Sequence, residues 1–250
     1  MCYARVLIKA RCLKALTSKI ILSCEHGGNR IPPEYRYLFN KAARTLDTHR
    51  GLDIGALAVA TALAQRLDVP LTFAQTSRLL VDLNRSPHHP RLFSEFTRAC
   101  DRKTRMNILQ EYYHPYRNKL EQKIQNAVTK QYSVLHLSIH SFTPRLGTKV
   151  RHADIGLLYD PSRTEEKIFC KRLQTLLNES SELVTRLNYP YRGNADGLTT
   201  WFRKKFQPDD YAGIEIEINQ KLIAGSTNAR GKLAGLICSS IRTAIETSNT

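Results

Sequence analysis

Short apolar runs of strand length alternate with helical stretches along this chain of 250 residues, and two of the runs stop at a histidine. Residues 20–22 lead into Glu25-His26-Gly27-Gly28, and residues 134–139 lead into His140. A short apolar run bounded by turn residues reads as a buried strand. Strands alternating with helices favour a largely parallel or mixed sheet covered on both faces. In such sheets ligands bind just outside the carboxyl ends of the strands. The two histidines therefore mark a candidate metal or catalytic site, against the alternative of two unrelated turn histidines. Gly27 and Gly28 let the backbone turn tightly beside the first of them.

The remaining elements follow in order. Residues 54–67 form an Ala/Leu-rich helix with Asp53 at the position of an N-cap. Residues 71–74 read as a strand. So does the apolar run over 77–83, which closes on Asp82, Asn84 and Arg85. An arginine fork there suits a bidentate carboxylate, while Asn and Asp before Pro87 also suit a plain turn. Residues 88–105 look irregular, and 106–130 carry helical spacing through Ile108, Leu109, Tyr112, Tyr116, Leu120, Ile124 and Val128, broken or kinked at Pro115. Strands over 155–160 and 183–187 flank a helix over 165–177. A polar, aromatic loop over 188–200 is long enough to suggest function. In the strand over 211–220, Ile214, Ile216 and Ile218 share one face and Glu215, Glu217 and Asn219 the other, aimed at solvent from an edge or into a site. A closing helix spans 228–247. With no repeat or composition break, residues 19–250 read as one domain.

Charge separates the function classes. Thirty-eight Lys+Arg against 22 Asp+Glu give +16, which favours anionic partners. No nucleic-acid-binding motif accompanies that charge. The basic residues are dispersed except at the acid-free start, where Arg5, Lys9, Arg11 and Lys14 mark residues 1–18 as a basic extension. No run approaches the ~18 apolar residues of a spanning helix. Six scattered cysteines without a CxxC pair point to reduced thiols and a cytoplasmic protein.

Two imidazoles and a carboxylate with an open position for water are the ligand set of catalytic zinc. A nearby glutamate would serve such a site by moving the water's proton. The spacing does not fix this reading, because there is no HExxH. GxSxG and P-loop motifs are also missing, which removes serine-hydrolase and nucleotide-hydrolysis readings.

Taken in order, Ser23-Cys24-Glu25-His26-Gly27-Gly28-Asn29-Arg30-Ile31-Pro32, Leu52-Asp53-Ile54-Gly55-Ala56, Ser77-Arg78-Leu79-Leu80-Val81-Asp82-Leu83-Asn84-Arg85, Ser138-Ile139-His140-Ser141-Phe142, Asn188-Tyr189-Pro190-Tyr191 and Gly213-Ile214-Glu215-Ile216-Glu217-Ile218 resemble the N-formylglutamate amidohydrolase family. The similarity runs over about residues 19–225. It implies a zinc-carboxypeptidase-like, three-layer α/β/α sandwich around a mixed, mostly parallel sheet. It also implies zinc-dependent hydrolysis of an N-acyl amino acid, N-formyl-L-glutamate giving formate and glutamate. By the resemblance, His26, Asp53 and His140 hold one Zn2+ or another divalent metal per chain. Glu217 is the general base, and Asn84 and Arg85, with Arg78 as a second choice, grip the substrate carboxylate. Where the wider superfamily has a metal-binding Glu three residues after the first histidine, this chain has Asn29, so the third ligand comes from elsewhere. Histidine-degrading members carry Pro where Glu25 stands, which marks a divergent branch and gives the metal role there to His26 alone. The expected partner is a small acidic N-acyl amino acid, with no membrane and no nucleic acid. The alternatives are a carboxypeptidase-like peptidase or amidase, or a basic nucleic-acid-binding protein that kept the fold.

Overall fold

Every apolar run read above as a strand, save one, enters a single sheet in the computed structural model, which describes residues 18–246. Of the basic extension expected over 1–18, only Ser18 lies within the described residues, and it opens the first strand. The strands are β1 (Ser18–Cys24), β2 (Leu71–Phe73), β3 (Ser133–Phe142), a small hairpin of β4 (Arg145–Leu146) and β5 (Lys149–Val150), then β6 (Ile155–Leu158), β7 (Thr185–Leu187) and β8 (Tyr211–Asn219). The helices are α1 (Ala43–Leu46), α2 (Ala56–Leu67), α3 (Arg102–Ile108), α4 (His114–Thr129), α5 (Thr164–Glu179), α6 (Leu198–Arg203), α7 (Gln220–Ile223) and α8 (Thr227–Glu246). The main sheet has the order β2-β1-β3-β8-β6-β7. Its first four strands are parallel, and β6 and β7 run against them.

Two apolar clusters cover the two faces, which makes three layers. On one face Leu22, Leu137, Ile139 and the isoleucines of β8 pack beneath α2, α5 and α8. On the other, Ile21, Val134 and Tyr211 pack beneath α4, α6 and the chain around Leu79–Leu83. The strand periodicity of two produces this division directly. β8 lies between β3 and β6, so its acidic face is interior and the edge-strand alternative falls.

Four local expectations are corrected. The run over 77–83 is not a strand. After a single bridge between Arg30 and Thr76, the chain turns at once, with Leu80 N bonded to Ser77 O at 2.9 Å, and its leucines are buried as a folded loop. Pro115 does not break the helix. α3 and α4 join through a π-helical turn at residues 109–113, and the rod carries Pro115 just beyond that turn without ending. This rod also begins at Arg102, inside the stretch expected to be irregular, capped by Asp101, whose Oδ1 accepts from Thr104 N at 2.9 Å. Finally, Asp53 does not cap α2: Gly55 holds that position at φ +80°, and no side chain caps the helix.

The glycines after His26 are needed for closeness and not for an unusual dihedral. A Cβ on Gly28 would stand 2.5 Å from Gln75 O, and one on Gly27 2.9 Å from Ala74 O. No helix among the described residues is long and apolar enough to cross a membrane.

Candidate metal and hydrolytic centre

The face beneath α4 carries a band of polar side chains across the three central strands, because alternate residues of each point that way. The register sets Ser23 beside Ser138, Ser138 beside Glu215, and His140 beside Glu217. At the end of this band, just past β1, the turn brings His26 over to His140, with ring centroids 5.2 Å apart. Asp53 is tied to the same turn, since its N–H donates to His26 O at 2.9 Å. Its carboxylate enters between the rings, with Oδ2 2.8 Å from His140 Nδ1 and 3.4 Å from His26 Nδ1. The donor atoms of the three buried residues lie within 4.8 Å of one another.

That set fits a divalent cation. Bonds of ~2.1 Å from a tetrahedral zinc separate its ligand atoms by about 3.4 Å, and neutral imidazole with carboxylate is an ordinary donor combination. Each histidine turns Nδ1 to Asp53 and gives Nε2 to another buried carboxylate. His26 Nε2 is 2.8 Å from Asp82 Oδ1, and His140 Nε2 is 3.0 Å from Glu25 Oε2. Such outer partners fix ring orientation and tautomer. Arg78 bridges the acids, with Nη1 3.3 Å from Asp53 Oδ1 and Nη2 2.8 Å from Asp82 Oδ2.

Electrostatics divides the carboxylates. Burial alone would raise Asp53, but the positive charge of His26 and hydrogen bonds from both histidines hold it well below the usual range. Asp82 is likewise held low against burial, by Arg78 and His26. Glu217 behaves otherwise: burial pushes it up to about 7, and its Oε2 finds no hydrogen-bond partner among the described residues. Glu215 shares that strand face but is engaged, accepting from Thr199 Oγ1 at 2.8 Å.

A cavity of about 650 Å³ opens over these groups, with Arg78, Asn84, Arg85, Tyr191, Arg192 and Glu217 in its wall. Asn84 and Arg85 sit on a turn held from two sides. Asn84 Oδ1 accepts from Leu198 N at 2.6 Å and Arg85 Nη1 donates to Asp196 O at 3.1 Å, both in the segment that includes the long loop after β7. Beneath them, Tyr113 OH and Arg117 Nη1 donate to Arg85 O at 2.7 and 3.2 Å. The structure thus brings all seven residues singled out in the sequence to one cavity or its floor: His26, Asp53, Arg78, Asn84, Arg85, His140 and Glu217.

Sequence reasoning passed over Asp82 as a partner of His26, and Glu25, Ser138 and Tyr116 as a buried group behind His140. Asp82 had a signal, because it stands in the same polar cluster as Asn84 and Arg85. Glu25 had one too, as an acid at the end of an apolar strand.

The sequence pattern of the N-formylglutamate amidohydrolase family matches residues 18–224 of this chain. Among solved structures, the chain is similar to gene product Atu2144 from Agrobacterium tumefaciens at 27% identity, covering 94% of each chain with a TM-score of 0.81. It also shares its fold with N-formylglutamate amidohydrolase from Ralstonia eutropha JMP134, at 20% identity over 89% of this chain and 92% of that one, with a TM-score of 0.62. No curated protein matches the chain by sequence.

Proposed function

Because this chain belongs to the N-formylglutamate amidohydrolase family, whose members hydrolyse linear amides, we propose that it cleaves an N-acyl amino acid, N-formyl-L-glutamate first among them, at a zinc site formed by His26, Asp53 and His140. The observation that carries this reading is Glu217. It is a buried carboxylate with a raised pKa and an unpaired oxygen, beside His140 on the neighbouring strand and in the wall of the same cavity. A bound divalent cation would polarise the scissile carbonyl and bring the pKa of its water to about 7.

The residues of the chain do the rest. Glu217 accepts a proton from the attacking water at its free oxygen and returns it to the nitrogen as the C–N bond breaks, giving formate and the free amine of glutamate. Arg85 offers its guanidinium fork to a substrate carboxylate, and Asn84 offers its amide N–H2, since its oxygen is already bonded to Leu198 N. Arg78 keeps Asp53 and Asp82 in place and lends a further cation to the cavity wall. An N-acyl amino acid longer than the formyl derivative is a second reading, favoured by the cavity of about 650 Å³.

Formate release from N-formyl-glutamate by the zinc-loaded protein, set against a panel of longer N-acyl amino acids and short peptides, tests both readings. His26→Ala and His140→Ala are expected to stay folded and lose the metal. Glu217→Gln is expected to keep the metal and lose roughly 10²- to 10⁴-fold in rate, the usual contribution of a positioned acid–base group. Wild-type turnover by Glu217→Gln, or no hydrolysis of any panel member by metal-loaded protein, would overturn the proposal.

A further inference from the structure

The geometry assigns to Glu25 a positioning role: it holds His140 at Nε2, so that the ring presents Nδ1 to the metal. This assignment rests on the metal site proposed above. Glu25 is fully buried at the carboxyl end of β1. Its Oε1 accepts from Tyr116 OH at 2.7 Å. Its Oε2 accepts from Ser138 Oγ and lies 3.0 Å from His140 Nε2. Ser138 Oγ is itself 2.9 Å from that nitrogen. Having given its only hydrogen to Glu25, the serine faces His140 with lone pairs alone.

The Nε2 atom of His140 therefore looks out on two acceptors and no donor. A neutral imidazole has one N–H and one lone pair. With the N–H placed at Nε2, the lone pair must be on Nδ1, the atom 2.8 Å from Asp53 Oδ2 and inside the cluster. The opposite tautomer would leave three acceptors, His140 Nε2, Glu25 Oε2 and Ser138 Oγ, sharing the one serine hydrogen in a buried space. Glu25 reaches its position from the turn just past β1, Ser138 and His140 from β3, and Tyr116 from α4, so the ring is fixed from three separate parts of the chain.

A carboxylate on the outer nitrogen of a metal-binding histidine also raises the basicity of the inner one, and losing it costs about 10- to 100-fold in metal affinity. The test uses the full chain and zinc alone. Competition with a chromophoric chelator should show that Glu25→Gln weakens zinc by about that factor, and that Glu25→Asp recovers part of the loss. Nitrogen-15 NMR of the zinc-loaded wild type should find His140 ligated through Nδ1, with a protonated, strongly downfield Nε2–H that moves upfield in Glu25→Gln. Zinc binding by Glu25→Gln equal to wild type, or His140 ligated through Nε2, overturns the assignment. The second measurement needs no variant, so it decides the matter even if Glu25→Gln fails to fold. A wild-type chain that binds no zinc overturns the metal reading itself, and is thereby told apart from a failure of Glu25 alone.

Discussion

Arg85 is held from its backbone as well as its side chain, which makes it a receptor with little freedom to lose. Tyr113 and Arg117 fix its carbonyl, and Asp196 O takes one of its five N–H groups. Its fork, if it receives the substrate carboxylate, contributes a charge-assisted bond of about 1.5–3 kcal/mol. Arg85→Ala is accordingly expected to raise KM by roughly 10- to 100-fold with a smaller change in kcat. Arg85→Lys should restore little, because a point charge does not reproduce the fork. Steady-state kinetics on whichever substrate the panel identifies would check both. At this scale the sequence was legible where chemistry and element end coincide. His26 and His140 terminate apolar strands, and Glu217 alternates with isoleucines. Asp53 was ambiguous because a cap and a ligand want the same residue type. Only the placement of Gly55 at the helix start frees its carboxylate for the histidines. Glu25 and Asp82 were harder to read, because their work depends on which ring nitrogen each meets across 115 and 56 residues of chain.

The element that sets the histidine turn in place is the parallel contact of residues 28–30 with residues 74–77. Arg30 N bonds Gln75 O and Ser77 N bonds Arg30 O, both at 2.9 Å. Gly28 allows this approach, since a Cβ there would meet backbone 2.5 Å away. Gly28→Ala should therefore destabilise the fold by about 1–3 kcal/mol, the range for overpacking a rigid contact. A control is Asp101→Ala, which removes the cap of α3 at a residue outside the cavity wall and should cost about 1 kcal/mol with no change in turnover. Denaturant midpoints and the amide assay read out both. Strands and long helices were legible from their periods, and the loop at 77–83 was not. Its leucines are buried by a turn between sheet and helices, and burial without hydrogen-bonded pairing leaves the same apolar signature as a strand.

Across the whole molecule, the buried histidine that is not part of the metal cluster makes a pH-dependent contribution to stability. His136 lies between Ser23 Oγ at 2.8 Å and Tyr211 OH at 2.7 Å, and burial lowers its pKa to about 4. At this residue the unfolded chain, near 6.5, binds more protons than the folded one, so its contribution to stability falls as pH drops from 6.5 toward 4. The full loss is roughly 3 kcal/mol. His26 and His140, raised in the fold, and Glu217, raised to about 7, work in the opposite sense, because the folded chain holds their protons more tightly than the unfolded one. Urea midpoints of the metal-free protein between pH 6.5 and 5, compared with those of His136→Gln, isolate this share: the stability of wild type relative to the variant should decline as pH falls. The strand register carries a kinetic consequence as well. The Glu25–Ser138 and Asp53–His140 contacts close 113 and 87 residues of chain, and such long-range closure is the slow part of folding. A cation that needs both ends of those loops finds nothing to hold until the barrier has been crossed. Zinc should thus lengthen the native lifetime by slowing unfolding while leaving the folding rate nearly unchanged.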